Sequence, residues 1–181
     1  MRVCSGTAKG KKLLSLEGNS TRPIMDKVKQ ALFNIIYDKV ENCDFLDLFA
    51  GTGAVGIEAL SRGAKKAIFI EIDKKAYQIT KENLIATNLI NSAEVRNADA
   101  FSYLKNTIKT FDIIYVDPPQ FKSLSEEALQ LISEKPSLLN NDALVITKIH
   151  PKEYEELNSS TIVEIDKRKY GNSMLVFYRK K

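Results

Sequence analysis

Four acidic residues stand at or just after the ends of expected strands: Asp47 in FLDLFAGTG, Glu71 in IFIEID, Asp99 in RNADAF and Asp117 in YVDPP. A carboxylate at a strand mouth is open to a ligand, and it accepts hydrogen bonds from hydroxyl and amino groups. Gly51, Gly53 and Gly56 form a G-x-G-x-x-G directly after the first run, and Glu71 follows Gly51 by 20 residues. Glycines so placed let the backbone approach a ligand, and an acid at that spacing takes ribose hydroxyls. The pattern points to a ligand that contains a nucleoside.

Asp47 narrows the choice. It stands four residues before Gly51, where its charge would repel a pyrophosphate and attract an ammonium or sulfonium centre. S-adenosyl-L-methionine therefore fits better than a dinucleotide, the alternative for Asp47 being a satisfied buried acid tied to the preceding helix. We expect Asp47, Gly51, Gly53, Glu71, Ile72, Asp99 and Ala100 to hold the cofactor. Asp99 has two compatible readings, acceptor of the adenine amino group or N-cap of the next helix. Asp73 reads as a cap alone.

Asp117 precedes Pro118 and Pro119. Prolines end a strand because they have no N–H to give the ladder, so D-P-P by itself reads as a strand terminator with a solvated acid. Beside a glycine loop it reads as chemistry. The lone pair of a base's exocyclic amino group is delocalised into the ring, and such a nitrogen is a poor nucleophile. The Asp117 carboxylate and the Pro118 carbonyl are both acceptors, able to bind its two hydrogens and aim the nitrogen at a methyl group. In-line transfer then rests on positioning and electrostatics and requires no metal.

These residues need an alternating scaffold, and the chain has one. Strands are expected near 44–49, 67–72, 93–97, 111–116, 142–149, 161–167 and 173–179, with helices near 54–62, 74–88, 100–108, 124–134 and 151–157. An earlier helix covers TRPIMDKVKQALFNIIYDKV, with Pro23 in its first turn and Ile24, Val28, Ala31, Leu32, Ile35 and Ile36 at helical spacing. The runs rich in Ile, Val and Phe show little polar alternation, as when helices cover both faces of a sheet. The expected fold is α/β and Rossmann-like: a seven-stranded, mostly parallel sheet closed by an antiparallel C-terminal hairpin around Gly171-Asn172. If the strands wind outward from the glycine loop and return, the fourth lies beside the first and Asp117 opens on the ligand's crevice.

Charge adds a partner. The net charge is +4, but residues 1–16 carry Arg2, Lys9, Lys11 and Lys12 and residues 167–181 carry six basic side chains, neither stretch with an acid. The middle then holds 17 basic against 23 acidic residues. Basic ends on an acidic body suit a polyanion. Residues 1–20, with Gly6, Gly10 and Gly18, read as a basic hairpin extension on a domain of residues 21–181. Cys4 and Cys43 are far apart, and the single histidine, His150, reads as a strand-end residue, so a Cys/His zinc site is not expected. No run approaches a membrane span and no leader is apparent, so a cytoplasmic protein is expected.

DLFAGTG, the acid of IEID and VDPP resemble amino-directed class I methyltransferases. With MRVCSGTAKGKKL, TRPIMDKVKQALFNII and KYGNSMLVFYRK, nearly the whole chain resembles the RsmD family of bacterial 16S ribosomal RNA guanine-N2 methyltransferases. The resemblance implies methyl transfer to N2 of a guanine in 16S rRNA, displayed on a small subunit or an assembly intermediate. Asp117, Pro118, Pro119 and Phe121 are then expected to be catalytic, and Arg2, Lys9, Lys11, Lys12, Arg22 and Lys122 to contact RNA. The family places an aromatic directly after DPP, whereas this chain has Gln120 there and Phe121 next. A monomer suffices. Rival readings are an N6-adenine DNA methyltransferase, for whose recognition region the chain has no room, and a glutamine-directed protein methyltransferase, which would carry Asn at position 117. An NAD-dependent oxidoreductase would leave Asp47 and DPP unexplained, and a non-catalytic RNA-binding module would bind no cofactor.

Overall fold

The computed structural model describes residues 1–16 and 26–181. Seven strands form one sheet: β1 (Asp44–Asp47), β2 (Lys66–Glu71), β3 (Ala93–Asn97), β4 (Phe111–Val116), β5 (Leu139–Ile149), β6 (Ile162–Tyr170) and β7 (Ser173–Lys180). Their order is β3-β2-β1-β4-β5-β7-β6, so the glycine-loop strand β1 has β2 on one side and β4 on the other. The first five strands run parallel, and β7 pairs antiparallel with both β5 and β6. The chain winds outward, returns at β1 and leaves a crevice between the ends of β1 and β4, as expected from the sequence.

Helices α1 (Asp26–Ile35), α2 (Tyr37–Val40), α3 (Ala54–Ser61), α4 (Lys74–Ala86), α5 (Ala100–Asn106) and α6 (Leu124–Glu134) connect the strands. The central strands bury both faces. One core joins Val28, Leu32 and Phe33 of α1 and Ile57 of α3 to Phe69 and Tyr115; the other joins Leu104, Ala128 and Ile132 to Ile114, Val145 and Val176. Both edges are more polar. Glu94 of β3 pairs with Lys66, Arg96 and Lys109, and on β6 Lys167 pairs with Glu164 and Arg168 with Asp166.

Two local expectations change. The helix read over 21–40 breaks at Ile36 into α1 and α2, and its start at Pro23, like Arg22, lies outside the described residues. The helix expected at 151–157 shortens to a single 3-10 turn, Pro151–Glu153. His150 caps it through Nδ1, but Tyr154 turns extended (φ −70°, ψ 122°). There its hydroxyl donates to Glu164 at 2.9 Å, and it packs with Leu157 against the second core. Tertiary contact overrides the local helical pattern.

Among the described residues, the N-terminal hairpin makes one β-bridge, Arg2 to Lys12. Val3, Gly10 and Leu13 N–H bond within the arm, whereas other donors turn to α3: Cys4 and Ser5 N–H reach the Glu58 carboxylate at 2.8 and 3.0 Å, and Ala8 N–H reaches Ser61 Oγ at 2.9 Å. Glu58 is fully buried and also meets the buried Lys29 at 3.1 Å and Arg62 at 2.8 Å. A buried acid is tolerable only when so completely partnered. This arm is welded to the body.

Candidate active site

The loop from β1 to α3 has the backbone its glycines predict. Gly51 (φ +54°) and Gly53 (φ +81°) occupy the left-handed region, which other residues enter only with strain. Gly56 serves a different purpose: a Cβ there would lie 2.3 Å from the Phe69 ring, so its absence lets α3 press onto β2. Thr80 Oγ of α4 donates to the Gly51 carbonyl at 2.9 Å. Asn83, also on α4, donates to the Thr52 carbonyl at 2.9 Å and to the Leu14 carbonyl at 3.1 Å, and accepts Leu14 N–H at 2.7 Å.

The loop forms one wall of a cavity of about 650 Å³, within the range of nucleotide-sized sites. Asp47, Glu71, Asp99 and Asp117 all line it, with Lys122 and Lys148 as its cations. Glu71 accepts Gly51 N–H at 2.7 Å and Asp73 N–H at 2.8 Å. A carboxylate has about four acceptor positions, so two stay free for a pair of hydroxyls. Burial pushes its pKa up, against the pull of those N–H donors. Beside it Ile72 is apolar, 68% exposed and on the cavity wall, a surface suited to the face of a base. Asp99 caps α5 by accepting Ser102 N–H at 2.8 Å and lines the cavity with Ala100; Asp73 caps α4 through Ala76 N–H.

Asp47 is 2% exposed and accepts Gly56 N–H at 2.9 Å. It is thus tied to the helix that follows it. Burial pushes its pKa up to about 7, Gly56 pulls it down, and Asp117 and Glu71 add smaller upward pushes. A cationic ligand would relieve this crowding of carboxyls.

Strand register brings Asp117 to the same place. Tyr115 of β4 lies opposite Asp47 on one side and Ile146 on the other. Side chains two apart share a face, so Asp117 projects one step beyond Tyr115 and Lys148 one step beyond Ile146, side by side. The Lys148 ammonium donates to both Asp117 oxygens, at 2.7 Å to Oδ1 and 2.8 Å to Oδ2. Tyr115 O–H donates to Oδ2 at 3.3 Å. Burial raises the Asp117 pKa, Lys148 counters that rise, and burial beside Asp117 lifts the Tyr115 phenol well above its usual value. The acid is held by partners rather than by solvent.

Pro118 is buried and Pro119 exposed on the wall after Asp117, with Gln120 and Lys122. Phe121 lies off that wall. Its backbone is left-handed (φ +61°), its N–H donates to Glu153 at 2.6 Å, and its ring packs on His150 at 5.1 Å between centroids. Gln120 thus occupies the position next to the cavity, and Phe121 would have to leave His150 to reach a base. Arg2, Lys9, Lys11 and Lys12 are all exposed on the arm, while Met1, Ser15 and Leu16 touch the cavity.

Sequence reasoning missed Lys148, Tyr115 and Asn83. The signal for Lys148 was present: it is the one charged residue of ALVITKI, all seven of which are buried, and a charge in a two-sided buried strand needs a partner. Asn83 had no such mark, because polar residues are ordinary in helices.

The comparisons with known proteins agree with this geometry. Over 182 residues the chain is 34% identical to ribosomal RNA small subunit methyltransferase D of Haemophilus influenzae, covering 95% of this chain and 94% of that protein. It is 38% identical to YlbH of Bacillus subtilis, across the full length of both. The solved structure of the Escherichia coli protein yhhF superposes with a TM-score of 0.89 at 30% identity, covering 100% of this chain and 98% of that one. A family model described as conserved hypothetical protein 95 matches residues 1–179. On sequence and on fold, the chain belongs to the RsmD family.

Proposed function

We propose that this chain transfers a methyl group from S-adenosyl-L-methionine to the exocyclic N2 of a guanine in 16S rRNA. The observation that carries the reading is that Asp117 faces the same cavity as Gly51 and Glu71, so a target amino group and a nucleoside cofactor would meet there. The residues fit that cofactor: Glu71 has acceptor positions free for ribose hydroxyls, Ile72 and Asp99 flank a place for adenine, and Asp47 supplies negative charge for an ammonium. When bound, it would supply an electrophilic methyl group on a sulfonium, whose sulfur–methyl bond breaks with the electron pair left on sulfur as a neutral thioether. Asp117 and the Pro118 carbonyl accept the two N2 hydrogens and turn the nitrogen toward the methyl. As N2 gains the new C–N bond it loses one proton, toward the Asp117 carboxylate. Excluding water strengthens these contacts.

The basic arm of residues 1–20, on a body of residues 21–181, supplies phosphate contacts through Arg2, Lys9, Lys11 and Lys12. Arg22, which lies outside the described residues, and Lys122 are further RNA contacts in this reading. The substrate is the small ribosomal subunit or an assembly intermediate, met by a monomer in the cytoplasm. Among the described residues no helix is long and apolar enough to cross a membrane.

The test uses small subunits from cells lacking this protein, incubated with it and isotopically labelled S-adenosylmethionine, followed by digestion and nucleoside mass analysis. Labelled N2-methylguanosine supports the proposal. Cofactor binding without label in that nucleoside moves the target elsewhere, and the absence of both label and binding overturns the reading.

A further inference from the structure

We propose that Lys148 is a positioning residue for this transfer: its ammonium grips both oxygens of Asp117 so that one acceptor position is left, aimed at the target amino group. The proposal rests on the methyl-transfer reading above. Of the roughly four acceptor positions of a carboxylate, Lys148 takes one on each oxygen and Tyr115 takes a second on Oδ2. What remains is one position on Oδ1.

The pair is built for rigidity. The Lys148 and Asp117 side chains are only 9% and 18% exposed, and adjacent parallel strands fix their separation. A lysine buried against one acid is not a solubilising surface charge. Its neighbour across the antiparallel pair is the apolar Leu175, which offers no competing acceptor. Tyr115 and Asp47 are the other titratable groups against Asp117 from β4 and β1; Glu71, Asp99 and Lys122 stand around the same cavity, and β7 adds the uncharged Ser173.

Lys148 thereby does two things for a group it does not touch. It fixes the plane of the Asp117 carboxylate, which governs where the nitrogen points. It also favours the ionised form of that carboxylate against the pull of burial, the form able to accept the hydrogens and the departing proton. Without the cation, burial would act on Asp117 unopposed by Lys148 and favour its protonated form, a donor where an acceptor is needed.

The experiment compares wild type with Lys148→Met, which keeps the length and removes the charge, and with Lys148→Arg, which keeps the charge. Cofactor affinity by calorimetry should stay near wild type in both. In Lys148→Met, kcat at neutral pH should fall by about tenfold to a hundredfold, with KM for the subunit little changed. The acid limb of its kcat–pH profile should move up by about one pH unit or more, and Lys148→Arg should restore both rate and limb. A Lys148→Met enzyme with the wild-type kcat and acid limb overturns the proposal. Should Lys148→Met not fold, Lys148→Gln takes its place under the same criteria. A second readout needs no turnover: the carbon-13 titration of the Asp117 carboxyl should move upward in Lys148→Met, and an unmoved titration overturns the pairing. If wild type labels no nucleoside, the methyl-transfer reading fails by itself, and that titration still decides whether Lys148 governs Asp117.

Discussion

Asn83 holds Leu14 by both of its backbone groups, accepting the N–H at 2.7 Å and donating to the carbonyl at 3.1 Å. The same amide nitrogen reaches Thr52 in the glycine loop. One buried side chain therefore ties the basic arm to the cofactor loop. We expect Asn83→Ala to strand these partners at about 1–3 kcal/mol per buried group left unpaired. Melting temperature should fall, and limited proteolysis should cut the arm before the body. Cofactor affinity should weaken with it; a variant with wild-type affinity and an uncut arm would show that the tie is incidental.

Asp47 makes the protein pH-dependent in a definite direction. Its folded pKa of about 7 lies above the ordinary 3.8, so between those values the folded state holds a proton that the unfolded state has lost. Stability from this group is therefore fully present below about pH 4, falls as pH rises toward 7 and stays level above. Asp47→Asn keeps the acceptor for Gly56 N–H without the charge. It should raise the melting temperature at pH 8, with little change at pH 4.

The same residue links cofactor binding to protons. A cationic ligand favours the ionised form, so binding near pH 6.5, in the range where Asp47 titrates (roughly its folded pKa of 7), should release protons. Calorimetry in buffers of different ionisation heat measures this directly. Asp47→Asn should abolish the release and weaken affinity. Equal proton release from both proteins would mean that Asp47 does not face the ligand's charge.

Glu71 and Asp117 should separate binding from turnover. Glu71→Ala removes the proposed ribose acceptor and a partner of Gly51 N–H, and it should weaken cofactor affinity by about tenfold or more. Unchanged affinity would refute the ribose assignment. Asp117→Ala should bind the cofactor within a few-fold of wild type and lose turnover, while substantial residual activity would remove Asp117 from its role.

Lys9, Lys11 and Lys12 are exposed on an arm that leads into the cavity through Ser15 and Leu16. Replacing all three with Gln should lower RNA affinity and flatten its dependence on salt, since each phosphate contact adds about one counterion to the slope. A slope equal to that of wild type would place the arm off the RNA.

Much of the fold was legible because burial on both faces leaves its mark on composition. The runs of Ile, Val and Phe in β2, β4 and β5 could only be central strands, and the glycine spacing located the turn into α3. Lys148 was not legible as a partner of Asp117, because 31 residues separate them and only the register of β4 against β5 makes them neighbours. The helix expected at 151–157 failed for a similar reason: its pattern was local, while Tyr154 answers to Glu164 on a strand still to come. The hairpin extension expected over residues 1–20 gives up part of its pairing, in the described residues 1–16, to Glu58, whose demand for donors is not visible in the mostly apolar, fully buried α3.

The two edges of the sheet carry a consequence for life at high concentration. An open sheet exposes a row of unpaired backbone groups on each outer strand, a template for adding strands from other copies. Here β3 brings Glu94 with Lys66, Arg96 and Lys109 to one edge, and β6 brings Glu164, Asp166, Lys167 and Arg168 to the other. A copy docking strand to strand would have to desolvate these charges. The edges thus act as gatekeepers against aggregation while the sheet between them remains almost wholly apolar.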